Sequence, residues 1–198
     1  MAQSHEVLEA WLAALVSTPG LTAVRDAAEA RRVHLDDSLR AVEAVRSFPG
    51  PVVDVGSGGG APGIPLAAAL PDREFTLLEP NGRKAAFLET WARELPNARV
   101  VRGRAEEQEA DSLGVAVTKA LAPPPVALEW CLPLVRPGGA AVLFVGPSAD
   151  LAAAARAAEQ LGGGSLELRD GLLVVQKVGP TPVGFPRKPG IARKRPLA

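Results

Sequence analysis

Aromatic residues are scarce in this sequence, which has no tyrosine, five phenylalanines and three tryptophans in 198 residues. Few rings are therefore available to stack on unpaired bases, and any affinity for nucleic acid must depend on shape and phosphate contacts. The single cysteine, Cys131, excludes both an internal disulfide and a cysteine-rich metal site. Only two histidines are present, without a cluster of cysteines and acids beside them, so we predict no metal centre.

Long apolar runs and an excess of either charge are also missing. Basic and acidic residues number 22 each, so net charge indicates no particular partner. No uninterrupted apolar stretch reaches the ~18 residues of a membrane span, and the N-terminus lacks the basic region of a signal peptide. These absences predict a soluble cytoplasmic protein with no membrane partner. Nothing in the sequence demands a dimer, so we expect a monomer.

Glycine and proline divide the chain into elements that alternate in type. Three helices are predicted first, at 4–17, about 25–33 and 36–48. Strands and helices then alternate, a pattern typical of a parallel sheet covered by helices on both faces. The predicted strands are 51–55, 74–78, 99–101, 115–118 and 140–145. The predicted helices between and after them are 62–69, 81–95, 124–134 and 148–160.

The end of the sheet departs from this alternation. Residues 166–178 predict two short strands around Asp170-Gly171, a pair that favours a type I′ turn because both residues tolerate positive φ. We therefore expect a closing antiparallel hairpin. The predicted organisation is an N-terminal helical cap at 1–48, an α/β domain at 49–179 and a basic tail at 180–198.

The stretch VVDVGSGGGAPGIPLA (52–67) places four glycines between positions 56 and 60, after a strand and before a helix. Without Cβ atoms such a loop lets a ligand approach the backbone closely, and the helix N-terminus behind it favours negative charge. A purely structural tight turn is the alternative. The absence of Gly-Lys-Ser/Thr argues against a nucleotide-triphosphate loop. A dinucleotide and S-adenosylmethionine remain as candidate ligands.

Glu79 ends the second predicted strand, about twenty residues beyond the loop, where an acid can accept both hydroxyls of a ribose. Both candidate ligands carry that ribose. The antiparallel hairpin favours a methyltransferase, because dinucleotide folds normally continue with parallel strands. A dinucleotide oxidoreductase would need a parallel sixth strand and a hydride-transfer site, and the sequence shows neither.

Longer segments resemble the bacterial small-subunit ribosomal RNA methyltransferase G (RsmG/GidB) family across residues about 20–197. They are LTAVRDAAEARRVHLDDSL (21–39), DVGSGGGAPGIPLAAALP (54–71), FTLLEPNGRKAAFLETWARELPNARVVRGRAEE (75–107), VTKALAPPPVALEWCLPLVRPGG (117–139) and FPRKPGIARKRPL (185–197). The resemblance implies a Rossmann-like class I S-adenosylmethionine-dependent methyltransferase fold. Its mostly parallel seven-stranded sheet ends in an antiparallel hairpin, with N-terminal helices. The implied reaction methylates N7 of a guanine in the decoding-centre loop of 16S ribosomal RNA, free or in the small subunit.

The resemblance also assigns site residues. Those implied to bind S-adenosylmethionine are Gly56, Gly58, Gly60, Ala61, Glu79, Ala105, Glu106 and Lys119. Lys119 is further implied to position donor and acceptor, with no general base required. Those implied to contact RNA phosphates are Arg187, Lys188, Arg193, Lys194 and Arg195.

Some positions depart from the family pattern. Lys119 replaces an arginine, so a point charge stands where a planar fork is usual. Gly20, Val33 and Val145 replace polar family residues. Two alternatives therefore stay open: a diverged member with another nucleic-acid target, and a non-catalytic module that binds cofactor or RNA.

Overall fold

The computed structural model describes residues 2–198, with side chains from residue 5 onward. The first helix, α1, spans Ala2–Ser17. Its apolar side chains recur at helical spacing, and they place Trp11 and Leu15 in the core with almost no exposure. None of the helices in the described part of the chain is long and apolar enough to cross a membrane.

The next helical region differs from the prediction of separate helices at 25–33 and 36–48. Helix α2 (Ala27–Ala30) continues without a break into a π-helix (Arg31–Asp36) and then into α3 (Asp37–Leu39). The predicted break near residue 35 is therefore wrong. Asp26 caps the helix by accepting a hydrogen bond from the Glu29 N–H at 2.8 Å, so no new cap is needed further along. The chain turns only before α4 (Val42–Arg46).

Seven strands form one sheet in the order β3-β2-β1-β4-β5-β7-β6. They are β1 (Val52–Val55), β2 (Phe75–Leu78), β3 (Ala98–Val101), β4 (Leu113–Lys119), β5 (Val135–Phe144), β6 (Gly163–Arg169) and β7 (Leu172–Lys177). The first five are parallel, and β7 lies antiparallel between β5 and β6. The predicted closing hairpin is confirmed, and its turn has φ of 48° at Asp170 and 73° at Gly171.

Strand β5 begins earlier than predicted, at Val135 rather than Ala140. The prediction stopped at Pro137 and its two following glycines, because these residues weaken a strand. The structure accommodates them with a register shift against β4 between Leu113 and Val115. The irregular pairing explains why the local sequence does not look like a strand.

Helices cover both faces of the sheet. They are α5 (Gly63–Ala69), α6 (Gly82–Ala92), α7 (Pro124–Cys131), α8 (Leu151–Gln160) and α9 (Ile191–Lys194), with 3-10 turns at Ala105–Glu107 and Leu132–Leu134. Asn81 caps α6 and Asp150 caps α8 through their side-chain oxygens. The core under α1, α5 and α6 lies on one face of the sheet, and the core under α7, α8 and α9 lies on the other.

Candidate active site

A cavity of about 260 Å³ opens where the carboxyl ends of the central parallel strands meet. It is lined by Gly56 from the glycine loop, Ala105 and Glu106 after β3, and Leu121 and Trp130 after β4, among others. Open α/β sheets bind ligands at this edge. The volume is close to the ~300 Å³ at which ligand pockets begin.

The glycine loop has a backbone that other residues rarely adopt. The φ angles are 73° at Gly56, 55° at Gly58 and 103° at Gly60. A Cβ at Gly56 would lie 2.4 Å from Leu121 Cδ1, and one at Gly60 would lie 2.4 Å from Ile64 Cδ1. The glycines are thus required by conformation, and a Cβ at Gly56 or Gly60 would in addition displace the end of a neighbouring side chain.

Helix α1 fixes the loop from behind. The Trp11 indole N–H donates to the carbonyl oxygen of Gly59 at 2.8 Å. Trp11 is fully buried, so its ring packs in the core. The N-terminal helices therefore touch the glycine loop directly.

Glu79 lies at the end of β2 with 5% of its surface exposed. Its Oε2 accepts a hydrogen bond from Gly58 N–H at 2.9 Å, and its Oε1 accepts one from Asn81 N–H at 2.7 Å. A carboxylate oxygen has room for a second hydrogen bond. Glu79 therefore holds the loop in place and keeps acceptor capacity for the two hydroxyls of a ribose.

Asp54 is a buried acid beneath the loop to which the sequence analysis assigned no role. Its Oδ2 accepts from Gly63 N–H at 3.0 Å, and its Oδ1 has no hydrogen-bond partner in the structure. Burial raises the pKa of Asp54 to about 7, the Gly63 hydrogen bond opposes the rise, and the charge of Glu79 adds to it. An acid inside an otherwise apolar strand, just before the glycines, was the available signal.

The predicted pair Ala105-Glu106 lines the cavity. Glu106 Oε1 accepts from the Trp130 indole N–H at 3.1 Å and from Gly190 N–H at 3.2 Å. Of the predicted cofactor residues, Gly56, Ala105 and Glu106 line the cavity. Gly58, Gly60, Ala61 and Glu79 shape the loop beside it or hold it in place.

Lys119 ends β4 and is tied to the N-terminal helices. Its Nζ lies 2.5 Å from the Val33 carbonyl oxygen, 2.5 Å from Asp37 Oδ2 and 5.2 Å from the Phe144 ring centroid. His34 is on the same π-helix, where its Nε2 pairs with Thr22 Oγ1 at 2.8 Å. Burial, followed by the charge of Lys119, lowers the pKa of His34. These contacts give His34 a structural role in the N-terminal helices.

A second cavity, of about 540 Å³, lies beside the first along the ends of β4 and β5. Thr118, Pro123–Pro125 and Phe144 line it, and it shares Leu121 with the first cavity. Its lining is mostly apolar, which suits the face of a flat base. The two cavities are thus neighbours on either side of one leucine.

The predicted RNA-binding cations fall into two groups. Arg187 is half-buried and forms a two-pronged ion pair with Glu129, whose side chain is 2% exposed. Lys188, Arg193, Lys194 and Arg195 are exposed. The predicted RNA-binding surface therefore contains four of the five cations, and Arg187 is instead paired inside the domain.

The described residues offer neither a cluster of metal ligands nor a reactive thiol to this site. Across residues 2–198, no group of three or more His, Cys, Asp or Glu residues could hold a metal ion. Cys131 is fully buried, and burial raises the pKa of its thiol. A buried thiol of this kind is a poor nucleophile.

Solved structures share the fold. An S-adenosylmethionine-dependent O-methyltransferase from Thermotoga maritima superimposes with a TM-score of 0.60 at 14% identity, over 74% of this chain and 66% of that one. A Thermus thermophilus 16S rRNA N2 G1207 methyltransferase, solved with AdoMet and guanosine, superimposes with a TM-score of 0.58 at 20% identity. The match covers 83% of this chain and 42% of that one. These likenesses show that the chain has the fold of class I S-adenosylmethionine-dependent methyltransferases.

Sequence comparison identifies the family. The family model described as rRNA small subunit methyltransferase G matches residues 3–164. The ribosomal RNA small subunit methyltransferases G of Moorella thermoacetica and Salinispora arenicola are both 39% identical to the chain, covering 89% and 90% of it and 82% and 78% of their own lengths. The chain belongs to the rRNA small subunit methyltransferase G family, and it is an S-adenosylmethionine-dependent methyltransferase.

The residues present fit S-adenosylmethionine. The cavity offers a glycine backbone at Gly56 and the apolar surface of Ala105 and Trp130. Glu79 does not line it, but its buried carboxylate holds the glycine loop beside the cavity and keeps acceptor capacity. A ribose needs the acceptor, and an adenine ring needs the apolar surface beside it.

Proposed function

We propose that this enzyme transfers a methyl group from S-adenosylmethionine to N7 of a guanine in the decoding-centre loop of 16S ribosomal RNA. The observation that carries the proposal is the pair of adjoining cavities that share Leu121, in a member of this family. One cavity suits the adenosine half of the donor, and the other suits a base.

The reaction makes modest chemical demands on the protein. S-adenosylmethionine supplies a sulfonium methyl group, and guanine N7 offers an in-plane lone pair with no proton to remove. No general base is needed, so the protein contributes mainly proximity and alignment. A site without a catalytic histidine or thiol is adequate for this reaction.

The roles of the cofactor residues follow from their positions. Gly56 allows the close approach of the donor to the backbone, and Gly58, Gly60 and Ala61 keep the loop in shape. Glu79 accepts hydrogen bonds from the ribose hydroxyls. Ala105 and Glu106 border the adenine.

Lys119 acts as a positioning residue on the acceptor side. The Asp37 carboxylate and the Val33 carbonyl hold its ammonium group, and 14% of its side chain is exposed. A tethered charge of this kind needs no reorganisation when the substrate binds. It lies at the end of β4, the strand that leads into both cavities.

The exposed cations of the C-terminal segment hold the RNA backbone. Lys188, Lys194 and Arg195 contact phosphates and set the position of the substrate without selecting the base, whereas the Arg193 guanidinium packs over the Trp130 ring. The protein acts as a monomer in the cytoplasm, on small-subunit RNA that is free or assembled.

The test is methyl transfer mapped by nucleoside. The purified protein is incubated with methyl-labelled S-adenosylmethionine and with small subunits, or their naked 16S RNA, that lack the guanine-N7 mark. Labelled 7-methylguanosine in the decoding-centre loop is the expected product. Label in another nucleoside would identify a diverged target. No transfer by a preparation that binds the cofactor tightly would identify a binding module.

Lys119→Arg and Lys119→Ala provide a matched pair in the same assay. The arginine restores the side chain usual in the family, and the alanine removes the charge. We expect activity from the arginine variant and a reduced kcat, with unchanged cofactor affinity, from the alanine variant. Equal kcat in all three proteins would remove Lys119 from the site.

A further inference from the structure

The basic C-terminal segment is folded against the domain. In this segment, defined as residues 185–195, Ala192 is 1% exposed and belongs to the core under α7 and α8. The family model ends at residue 164, and the resemblance of residues 185–197 to the family implies only contacts to RNA phosphates.

An ion pair fastens the segment at its start. The Arg187 guanidinium donates to both carboxylate oxygens of Glu129, with Nε at 2.5 Å from Oε1. Arg187 Nη2 also donates to the Arg195 carbonyl oxygen at 2.8 Å, which joins the two ends of the segment. The Glu129 hydrogen bonds raise the pKa of Arg187. Glu129 is buried on α7, so loss of Arg187 would leave a buried carboxylate without its cation.

The middle of the segment reaches the smaller cavity. Gly190 N–H donates to Glu106 Oε1 at 3.2 Å, and the Arg193 guanidinium lies 5.2 Å from the centroid of the Trp130 ring. Arg193 also donates to the Leu121 carbonyl oxygen at 3.4 Å. The three residues contacted all line that cavity, and so do Gly190 and Arg193 themselves. The segment therefore forms one wall of it.

We propose that residues 185–195 are part of the cofactor-binding site, with Arg193 as a contact residue and Arg187 and Glu129 as positioning residues. The inference rests on the proposed function in one respect, that the 260 Å³ cavity holds the adenosine half of S-adenosylmethionine. Arg193 and Trp130 supply a planar cation and an aromatic surface beside the Ala105-Glu106 pair, and both pack well against a purine.

The proposal joins two binding events in one segment. Lys188, Lys194 and Arg195 are exposed on the same eleven-residue stretch whose inner side closes the cavity. RNA that binds these cations favours the docked position of the segment. By reciprocity, RNA then tightens cofactor binding, and cofactor tightens RNA binding by the same factor.

The test measures S-adenosylhomocysteine binding by calorimetry in the absence of RNA. Arg193→Ala removes the contact residue, and Arg187→Gln loosens the segment without altering the cavity lining. We expect each to raise Kd by about tenfold, which is about 1.4 kcal/mol. In methyl-transfer kinetics, KM for the cofactor rises while kcat at saturating cofactor stays within about twofold.

Two further variants separate positioning from general damage. Arg156→Ala removes an exposed cation on α8 that lines neither cavity, and it should leave Kd unchanged. Glu129→Gln combined with Arg187→Gln removes both charges and keeps a hydrogen-bonding pair, so its Kd should lie closer to the wild-type value than that of Arg187→Gln alone.

Wild-type Kd in Arg193→Ala would overturn the proposal, and the side chain that this variant changes is exposed. A tenfold loss in Arg156→Ala as well would also overturn it, because the effect would then be one of net charge. A different methylated nucleoside would revise the acceptor and leave these cofactor affinities, and the inference, intact.

Discussion

Replacement of Asp54 by asparagine should abolish one component of the pH dependence of stability. Burial raises the pKa of Asp54 from 3.8 to about 7 in the folded protein. Between these values the folded state binds a proton that the unfolded chain releases, so the free energy of unfolding falls as the pH rises. At 1.36 kcal/mol per pKa unit, the whole effect is about 4 kcal/mol.

Asparagine is a close match for the protonated acid. Its carbonyl oxygen can accept the Gly63 N–H, and its NH₂ group takes the place of Oδ1, which has no partner in the structure. The variant cannot ionise at this position. Its stability should therefore vary with pH only through the other titratable groups, which the two proteins share.

Urea unfolding at several values from pH 5 to pH 8 provides the measurement. The wild-type stability minus the variant stability should fall by about 3 kcal/mol across this range, because most of the proton release occurs within it. A difference that stays constant from pH 5 to pH 8 would refute the reasoning. It would mean that the buried carboxylate ionises at its ordinary pKa, and that burial does not control its charge.

Three further changes test the site. Gly56→Ala places a side chain on a backbone with φ of 73° and next to Leu121 Cδ1. The free energy of unfolding, measured by thermal unfolding, should fall by about 1–3 kcal/mol, and calorimetry should show weaker cofactor binding. Glu79→Gln removes a charged acceptor, and cofactor Kd should rise about tenfold in calorimetry while an unchanged value would exclude the ribose contact. A triple alanine variant removes the exposed cations Lys188, Lys194 and Arg195. The slope of log K against log salt for RNA binding should become less steep by about 2, and an unchanged slope would contradict phosphate binding.

Local sequence signals predicted the elements whose residues leave few alternatives. The glycines at 56–60 and the Asp170-Gly171 pair need positive φ, so the loop and the closing hairpin follow from the chain itself. The alternation of apolar strands and helices predicted the parallel sheet. The position of Glu79 at a strand end predicts its place beside the loop.

Contacts distant in sequence were not predictable in this way. Arg187 looked like one of five equivalent cations, because its partner Glu129 lies 58 positions earlier and is buried by packing. The Trp11 bond to Gly59 spans 48 positions. The π-helix at Arg31–Asp36 has no sequence signature, and its Lys119 contact depends on how the cap packs against β4.

The burial of Cys131 has a practical consequence for spectroscopy. Because it is the chain's one cysteine and its thiol is inaccessible, maleimide dyes should leave the native protein unlabelled. A cysteine introduced at the fully exposed Val183 would then be the single reactive handle. A fluorophore there, two residues before the C-terminal segment, would report in real time whether that segment stays docked as cofactor and RNA bind.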